Sequence, residues 1–186
     1  MKVIAIAGNA TCGKDTLYRV LYSELESVSK VKRIAFADAL KDEVNDFLIR
    51  TVGISAWTTD PDEKKVIRRF LLFWGTEFRR EQDDMHWVKL SAEKMTDSDT
   101  TYIITDLRYK NEYNWIREMG GKVIFLDRYI NKEGTLVAPA NHYEAENNRF
   151  LKANADLHLA WPTFDKDDDA SRRDFVKQHA SQYLTL

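Results

Sequence analysis

An α/β fold, with a parallel sheet covered by helices on both faces, follows from three observations. Short apolar runs recur at residues 3–7, 32–37, 102–105, 122–126 and 157–161, and they are mostly continuous rather than alternating, as strands buried on both faces are. Stretches with helical spacing separate them, the strand–helix alternation of α/β proteins. The first run passes directly into a glycine-bounded loop and then into an amphipathic segment. That context gives a short loop motif structural meaning.

Each element has its own signal. Behind the first strand, Leu17, Val20, Leu21, Leu25 and Val28 recur at helical spacing. Leu40, Val44, Leu48 and Val52 recur every fourth residue, and Gly53 offers a stop. Asp60-Pro61 opens the next helix, an N-cap followed by proline in the first turn. This helix carries Val66, Phe70 and Phe73 beside Ile67, Leu71 and Trp74. Val88, Ala92 and Met95 share one face of another. Residues 110–119 make a helix ended by Gly120-Gly121, and Val176, Ala180, Tyr183 and Leu184 mark the last. Residues 128–141 form the one long polar stretch of weak periodicity, expected to be a mobile lid. No repeat or low-complexity linker interrupts the chain, so one domain over residues 1–186 is expected.

The loop reads Gly8-Asn9-Ala10-Thr11-Cys12-Gly13-Lys14-Asp15-Thr16, a phosphate-binding loop. Glycines permit a tight turn whose backbone N–H groups converge on phosphate oxygens, and the following helix N-terminus adds its dipole. Lys14 would reach the terminal phosphates of a nucleotide. Asp15 stands where Ser or Thr ordinarily meets Mg²⁺, with Thr16 one place later. Cys12 is either a redox-sensitive thiol at a helix N-terminus or a small side chain in a crowded loop.

Composition narrows the setting. The formal net charge of −2 provides no global basic field for nonspecific DNA binding. A single cysteine excludes an intramolecular disulfide and suits a reducing cytosol, so a cytoplasmic protein is expected. Met1-Lys2 runs straight into the first strand, which leads us to expect no signal peptide. No apolar run is long enough for a bilayer, so no membrane partner is expected. His86, His142, His158 and His179 have no zinc-like spacing with the lone cysteine.

Several collinear segments between residues 1 and about 150 carry a resemblance. They are the loop ending Gly13-Lys14-Asp15-Thr16; Phe36-Ala37-Asp38-Ala39-Leu40-Lys41; Gly75-Thr76-Glu77-Phe78-Arg79-Arg80 followed by Trp87-Val88; and Ile104-Thr105-Asp106-Leu107-Arg108-Tyr109-Lys110-Asn111-Glu112 with Gly120-Gly121-Lys122-Val123-Ile124. Together they resemble the deoxynucleoside monophosphate kinases of tailed bacteriophages, a branch of the P-loop nucleotide kinases. The resemblance implies a three-layer fold with a five-stranded parallel sheet in the order 2-3-1-4-5. It also implies a helical acceptor-binding insert over residues 38–97 and a short lid over 128–150. The chain departs from the family's pattern in two places. Arg79-Arg80 offers two arginines for one position, of which Arg80 is favoured, and Asn141-His142-Tyr143-Glu144-Ala145-Glu146 matches a short His-containing element only loosely.

The resemblance implies ATP as phosphoryl donor, Mg²⁺ as cofactor, and transfer to a deoxynucleoside monophosphate. Residues 8–16 and Lys14 would hold the donor phosphates, and Asp15 or Thr16, with Asp106, the metal. A monophosphate has a second pKa of about 6, so its attacking oxygen is already ionised at neutral pH. Such an acceptor needs arginines rather than a base, and Arg80, Arg108 and Arg79 are the candidates. Arg68 and Arg69 oppose the apolar face of their helix and are read as solvated. Asp38 and Lys41 begin the acceptor-side helix, where Asp38 is either a base or sugar contact or a helix cap. Trp74 and Trp87 wall the base or pack the core, and Glu112 joins the acceptor side. Arg128 and Arg149 are lid arginines, with Lys132 behind them.

Two rivals remain at this point. A kinase of hydroxyl acceptors, including a hydroxymethyl-pyrimidine in DNA, would require a carboxylate base, for which Asp38 is placed. Nucleic acid is a partner only on that reading. A nucleotide-binding regulator without turnover is the other. A homodimer is compatible with the sequence, and a GTPase is disfavoured because no guanine-reading Asn-Lys-x-Asp motif follows a late strand.

Overall fold

Every side chain from Val3 to Ala7 is buried, which makes the first strand the centre of the sheet. The computed structural model describes residues 1–130, 134–165 and 168–184. Lys132 and the side chain of Leu184 lie outside them. Along the chain run β1 (Lys2–Ala7), α1 (Lys14–Leu25), β2 (Lys30–Ile34), α2 (Phe36–Val52) and α3 (Pro61–Leu72). A π-helical turn (Phe73–Phe78) leads to α4 (Arg79–Gln82) and α5 (His86–Ala92). Then come β3 (Thr100–Leu107), α6 (Lys110–Glu118), β4 (Lys122–Arg128), α7 (His142–Asn154), β5 (Leu157–Trp161) and α8 (Asp169–Leu184). These elements form two compact units, one of Met1–Ile34 with Asp97–Leu186 and one of Ala35–Thr96.

In the first unit the strands are parallel in the order β2-β3-β1-β4-β5, the order the resemblance implied. Ile4 pairs with Ile103, Ile6 with Ile124 and Leu126 with Leu159. Ile4 and Ile6 point to the face covered by α1 and α8, where they meet Leu17, Leu21, Leu25, Val176, Ala180 and Tyr183. The alternating positions point the other way, and α6 and α7 pack on β4 and β1 respectively. β1 and β4, buried along nearly their whole length, are the strands with continuous apolar runs, whereas the edge strands β2 and β5 keep exposed positions.

The second unit packs Val44, Leu48, Ala56 and Ile67, with Leu40, Ile54, Phe70, Leu71 and Trp74 partly buried around them. Asp60 caps α3 through its side chain, which accepts from the Asp62 and Glu63 amides at 2.8 and 3.0 Å.

Several sequence expectations shift. The helix behind β1 ends at Leu25, so Val28 lies beyond it and is 68 % exposed. The second strand ends at Ile34 rather than residue 37, because Phe36 and Ala37 already belong to α2; a short apolar run does not distinguish a buried strand from a buried helix start. Val66 and Phe73 face solvent, 62 % and 46 % exposed, so the inward side of that helical run is Ile67, Phe70, Leu71 and Trp74. From His142 onward the stretch expected as a lid is helical, and Asn148 and Leu151 of that helix are buried.

Candidate active site

The turn out of β1 requires glycine at its first position. Gly8 has φ +142°, and a Cβ there would lie 2.3 Å from the Leu126 carbonyl oxygen. Only glycine lets the backbone leave the sheet so close to β4. Gly13, at φ +101°, is the N-cap of α1, whose first amides have no intrahelical carbonyl and so receive anions. Thr11 sits between them at φ +62°. A non-glycine residue there costs on the order of 1 kcal/mol and persists only where its surroundings impose it.

Those surroundings are specific. Asn9 is buried; its Nδ2 donates to Val137 O at 2.7 Å and its Oδ1 accepts from Asn148 Nδ2 at 2.7 Å. The Ala10 amide donates to Glu144 Oε1 at 2.9 Å, and the Ala140 amide to Glu144 Oε2 at 2.6 Å. Arg128 Nη1 donates to Thr11 O at 3.3 Å. Cys12 is fully buried and burial pushes its thiol up, with Lys14 opposing; this is the inert, space-filling alternative of the two read for it.

Lys14 folds over the loop, donating to Gly8 O and Asn9 O at 2.8 Å each. Burial lowers its ammonium below the ordinary lysine range; Cys12, Glu144 and Asp106 oppose that, and Arg108 adds to it. Lys14, Asp106, Arg108 and Glu144 therefore share one electrostatic field. Asp106 is half-buried near the end of β3, and Arg108 is exposed just beyond it. Glu112 is 1 % exposed. Its Oε2 accepts from the Arg108 and Tyr109 amides at 2.8 and 3.0 Å, so it holds the turn that carries Arg108.

Asp15 is exposed, and the Thr16 hydroxyl accepts from Arg19 Nη2 at 3.5 Å. Among the described residues no three His, Cys, Asp or Glu side chains cluster as a metal cage. The oxygens of Asp15, Thr16 and Asp106 are hard donors of the kind that fits Mg²⁺, which takes one or two protein oxygens and completes its octahedron with phosphate and water. Arg149 is exposed on α7.

In the helical unit, Asp38 is half-buried in the first turn of α2, whose N-cap is Ala35 without a side-chain cap. Lys41 Nζ lies 4.7 Å from the Trp57 ring centroid. Trp74 Nε1 and Arg79 Nε both donate to Glu43 Oε1 at 2.6 Å, and Arg80 Nη1 donates to Asp84 O at 3.3 Å. Trp87 is 2 % exposed and donates to Gly75 O at 2.9 Å, which makes it part of the packing of this unit.

Sequence reasoning missed Glu43 and gave Glu144 no role. Asn141 followed three residues later by Glu144 has capping spacing, and the Asn141 side chain does accept from the Glu144 amide at 2.9 Å. That spacing is a signal of a helix start that the sequence reading did not use, and it says nothing of the reach of the carboxylate to the loop. No local pattern singles out Glu43.

Comparison with known proteins gives this geometry a family. A phosphomevalonate kinase of Drosophila melanogaster is 32 % identical over 123 residues, 65 % of this chain and 62 % of that protein. The chain thus spans less than two thirds of that relative. The shikimate kinase of Bacteroides thetaiotaomicron aligns over 100 % of this chain and 99 % of its own, with a TM-score of 0.54 and 16 % identity, a likeness of fold alone. The model of the deoxynucleotide monophosphate kinase family matches residues 23–137, and the chain belongs to that family.

Proposed function

We propose that the chain transfers the γ-phosphoryl group of ATP to the phosphate of a deoxynucleoside monophosphate, giving ADP and a deoxynucleoside diphosphate. The observation that carries this reading is the strand–loop–helix phosphate site, with Gly8 and Gly13 at positive φ and Lys14 folded over the loop, in a chain of the deoxynucleotide monophosphate kinase family. Phosphoryl transfer asks a protein for in-line positioning and for positive charge around the transferred group, with little covalent chemistry. The loop amides of residues 8–16 and Lys14 hold the β- and γ-phosphates. Arg128, which reaches the Thr11 carbonyl, and Arg149 on α7 would add positive charge around them. Asp15 or Thr16, with Asp106, would supply protein oxygens to Mg²⁺, and that ion would neutralise charge on the donor phosphates.

For the acceptor's dianion the first unit offers Arg108, whose backbone Glu112 holds, and the helical unit offers the Arg79-Arg80 pair. Asp38, Lys41 and Trp74 line the helical unit's share of acceptor recognition, and Trp87 acts through packing. Two comparisons support a phosphorylated acceptor. The family's description specifies a deoxynucleotide monophosphate, and the relative from Drosophila melanogaster is named for phosphomevalonate.

A coupled ADP-release assay with ATP and Mg²⁺ tests the reading across the canonical deoxynucleoside and ribonucleoside monophosphates and a hydroxymethyl-pyrimidine DNA. ADP release with at least one deoxynucleoside monophosphate is expected. Release with the DNA alone would move the acceptor to a hydroxyl, and ATP binding without transfer to any acceptor would make the chain a regulator.

A further inference from the structure

Glu43, on α2, gathers three donors from residues 31 to 43 positions further along the chain. Trp74 Nε1 and Arg79 Nε donate to Oε1 at 2.6 Å, and His86 Nε2 lies 2.9 Å from Oε2. Burial pushes this carboxyl up, but the hydrogen bonds from Trp74, Arg79 and His86 outweigh it and hold Glu43 below the ordinary carboxylate range. The Arg79 guanidinium also lies over the Trp74 ring, 5.4 Å from its centroid. Arg79 comes directly after the π-helical turn Phe73–Phe78. Such turns insert an extra residue, rotate the next side chains to a new direction, and occur often at functional sites.

The arrangement leaves one edge of Arg79 available. Its Nε is engaged with Glu43, while Nη1 and Nη2 make no hydrogen bond or ion pair among the described residues, and the side chain is 30 % exposed. A carboxylate on one side and an indole face on the other fix the plane of the fork. Two parallel N–H groups in a fixed plane match two oxygens of a phosphate. Arg80 is held differently: its Nη1 turns back to the Asp84 carbonyl one helical turn ahead. Because Glu43 offsets part of Arg79's charge, the edge would recognise phosphate by geometry rather than by net charge.

We propose that Arg79, through its Nη1/Nη2 edge, takes the acceptor's phosphate, and that Glu43, braced by His86, is the positioning residue that holds it ready. This rests on the phosphate-acceptor reading above and chooses between the two adjacent arginines. It also predicts selectivity for a phosphomonoester over the corresponding nucleoside, since a neutral hydroxyl offers the fork no second oxygen.

The test uses the full chain with Arg79→Lys, Arg80→Lys and Glu43→Gln, with Glu43→Asp as a second variant should Glu43→Gln fail to fold. Initial rates are measured against each deoxynucleoside monophosphate at saturating ATP and Mg²⁺, and against ATP at saturating acceptor. Loss of a charge-assisted bidentate contact should raise the acceptor KM about tenfold or more in Arg79→Lys and in the Glu43 variant. The ATP KM should stay within about twofold, a split that a general loss of fold does not give. The effect at Arg79 should exceed that at Arg80 by about tenfold. An equal or reversed order, an unmoved acceptor KM in the Glu43 variant, or a matching rise in both KM values would overturn the proposal.

Titration calorimetry with inorganic phosphate separates this proposal from the reading beneath it. If the wild-type chain turns over no deoxynucleoside monophosphate, that reading falls. The anchor then stands on phosphate affinity lost in Arg79→Lys and falls if that affinity is retained. If turnover is normal and Arg79→Lys is silent, the anchor alone falls.

Discussion

Lys14 rests on two carbonyl oxygens of its own loop, so reaching a phosphate means exchanging bonds to neutral acceptors for bonds to an oppositely charged one, which are stronger. Lys14→Ala should therefore lower kcat/KM by about 10²–10³, the scale of a lost transition-state donor. Thermal melts should show little change in stability, and a variant that keeps its rate would take Lys14 out of the chemistry. Arg108→Ala should lower kcat more than it changes ATP binding, checked by rates beside an ATP titration; an unchanged rate removes Arg108 from the site. Glu144 acts on the loop's shape. It accepts from both the Ala10 and Ala140 amides, and Glu144→Ala leaves the part-buried Ala10 donor without its acceptor at a cost of about 1 kcal/mol, while the exposed Ala140 amide turns to water. Faster hydrogen exchange at Ala10 and a raised KM for ATP are expected, with Glu144→Gln milder because its amide oxygen still accepts. Equal exchange in wild type and Glu144→Ala would show that the loop holds itself.

At the scale of elements, caps and junctions carry the local information. Asp60 accepts from two first-turn amides of α3 and Pro61 comes next, so Asp60→Ala should destabilise the chain by about 1 kcal/mol in denaturant melts. An unchanged midpoint would mean that α3 is held by packing alone. The strand–loop–helix unit from β1 to α1 and the Asp60-Pro61 start were legible because each depends on neighbours in sequence. The end of β2 was not: Ile34-Ala35-Phe36-Ala37 is apolar whether strand or helix, and packing decided it. The same holds for α7. Its polar face gives weak periodicity, yet Asn148 and Leu151 are buried, because Asn148 has a partner in Asn9.

Across the molecule, Asp156 shows how the layers of the first unit are joined. Its carboxylate accepts from Arg117 Nη1 on α6 at 2.6 Å and from the Val123 amide on β4 at 2.8 Å. Burial raises this carboxyl, and the Val123 and Arg117 bonds outweigh that and hold it below the ordinary aspartate range. A folded pKa lower than the unfolded value of about 3.9 adds stability that is present above that pH and lost as pH falls through the folded value. Thermal midpoints should therefore fall on acidification below about pH 4, and Asp156→Asn should flatten that slope; an identical slope in the variant would assign the acid sensitivity elsewhere. The sequence by itself determined the sheet's central strand, the phosphate loop and the helix behind it. Burial of β1 on both faces favours apolar residues throughout, and the close approach of the next turn to the Leu126 carbonyl demands glycine at Gly8; both demands are met by adjacent residues. Only the tertiary structure decided the polar partnerships that would position the chemistry: Glu144 with an amide 134 residues away, and Glu43 with an arginine 36 residues away. A hydrophobic pattern specifies which face of a helix is buried, but the donor that meets a half-buried carboxylate is whichever group the packed chain carries to it.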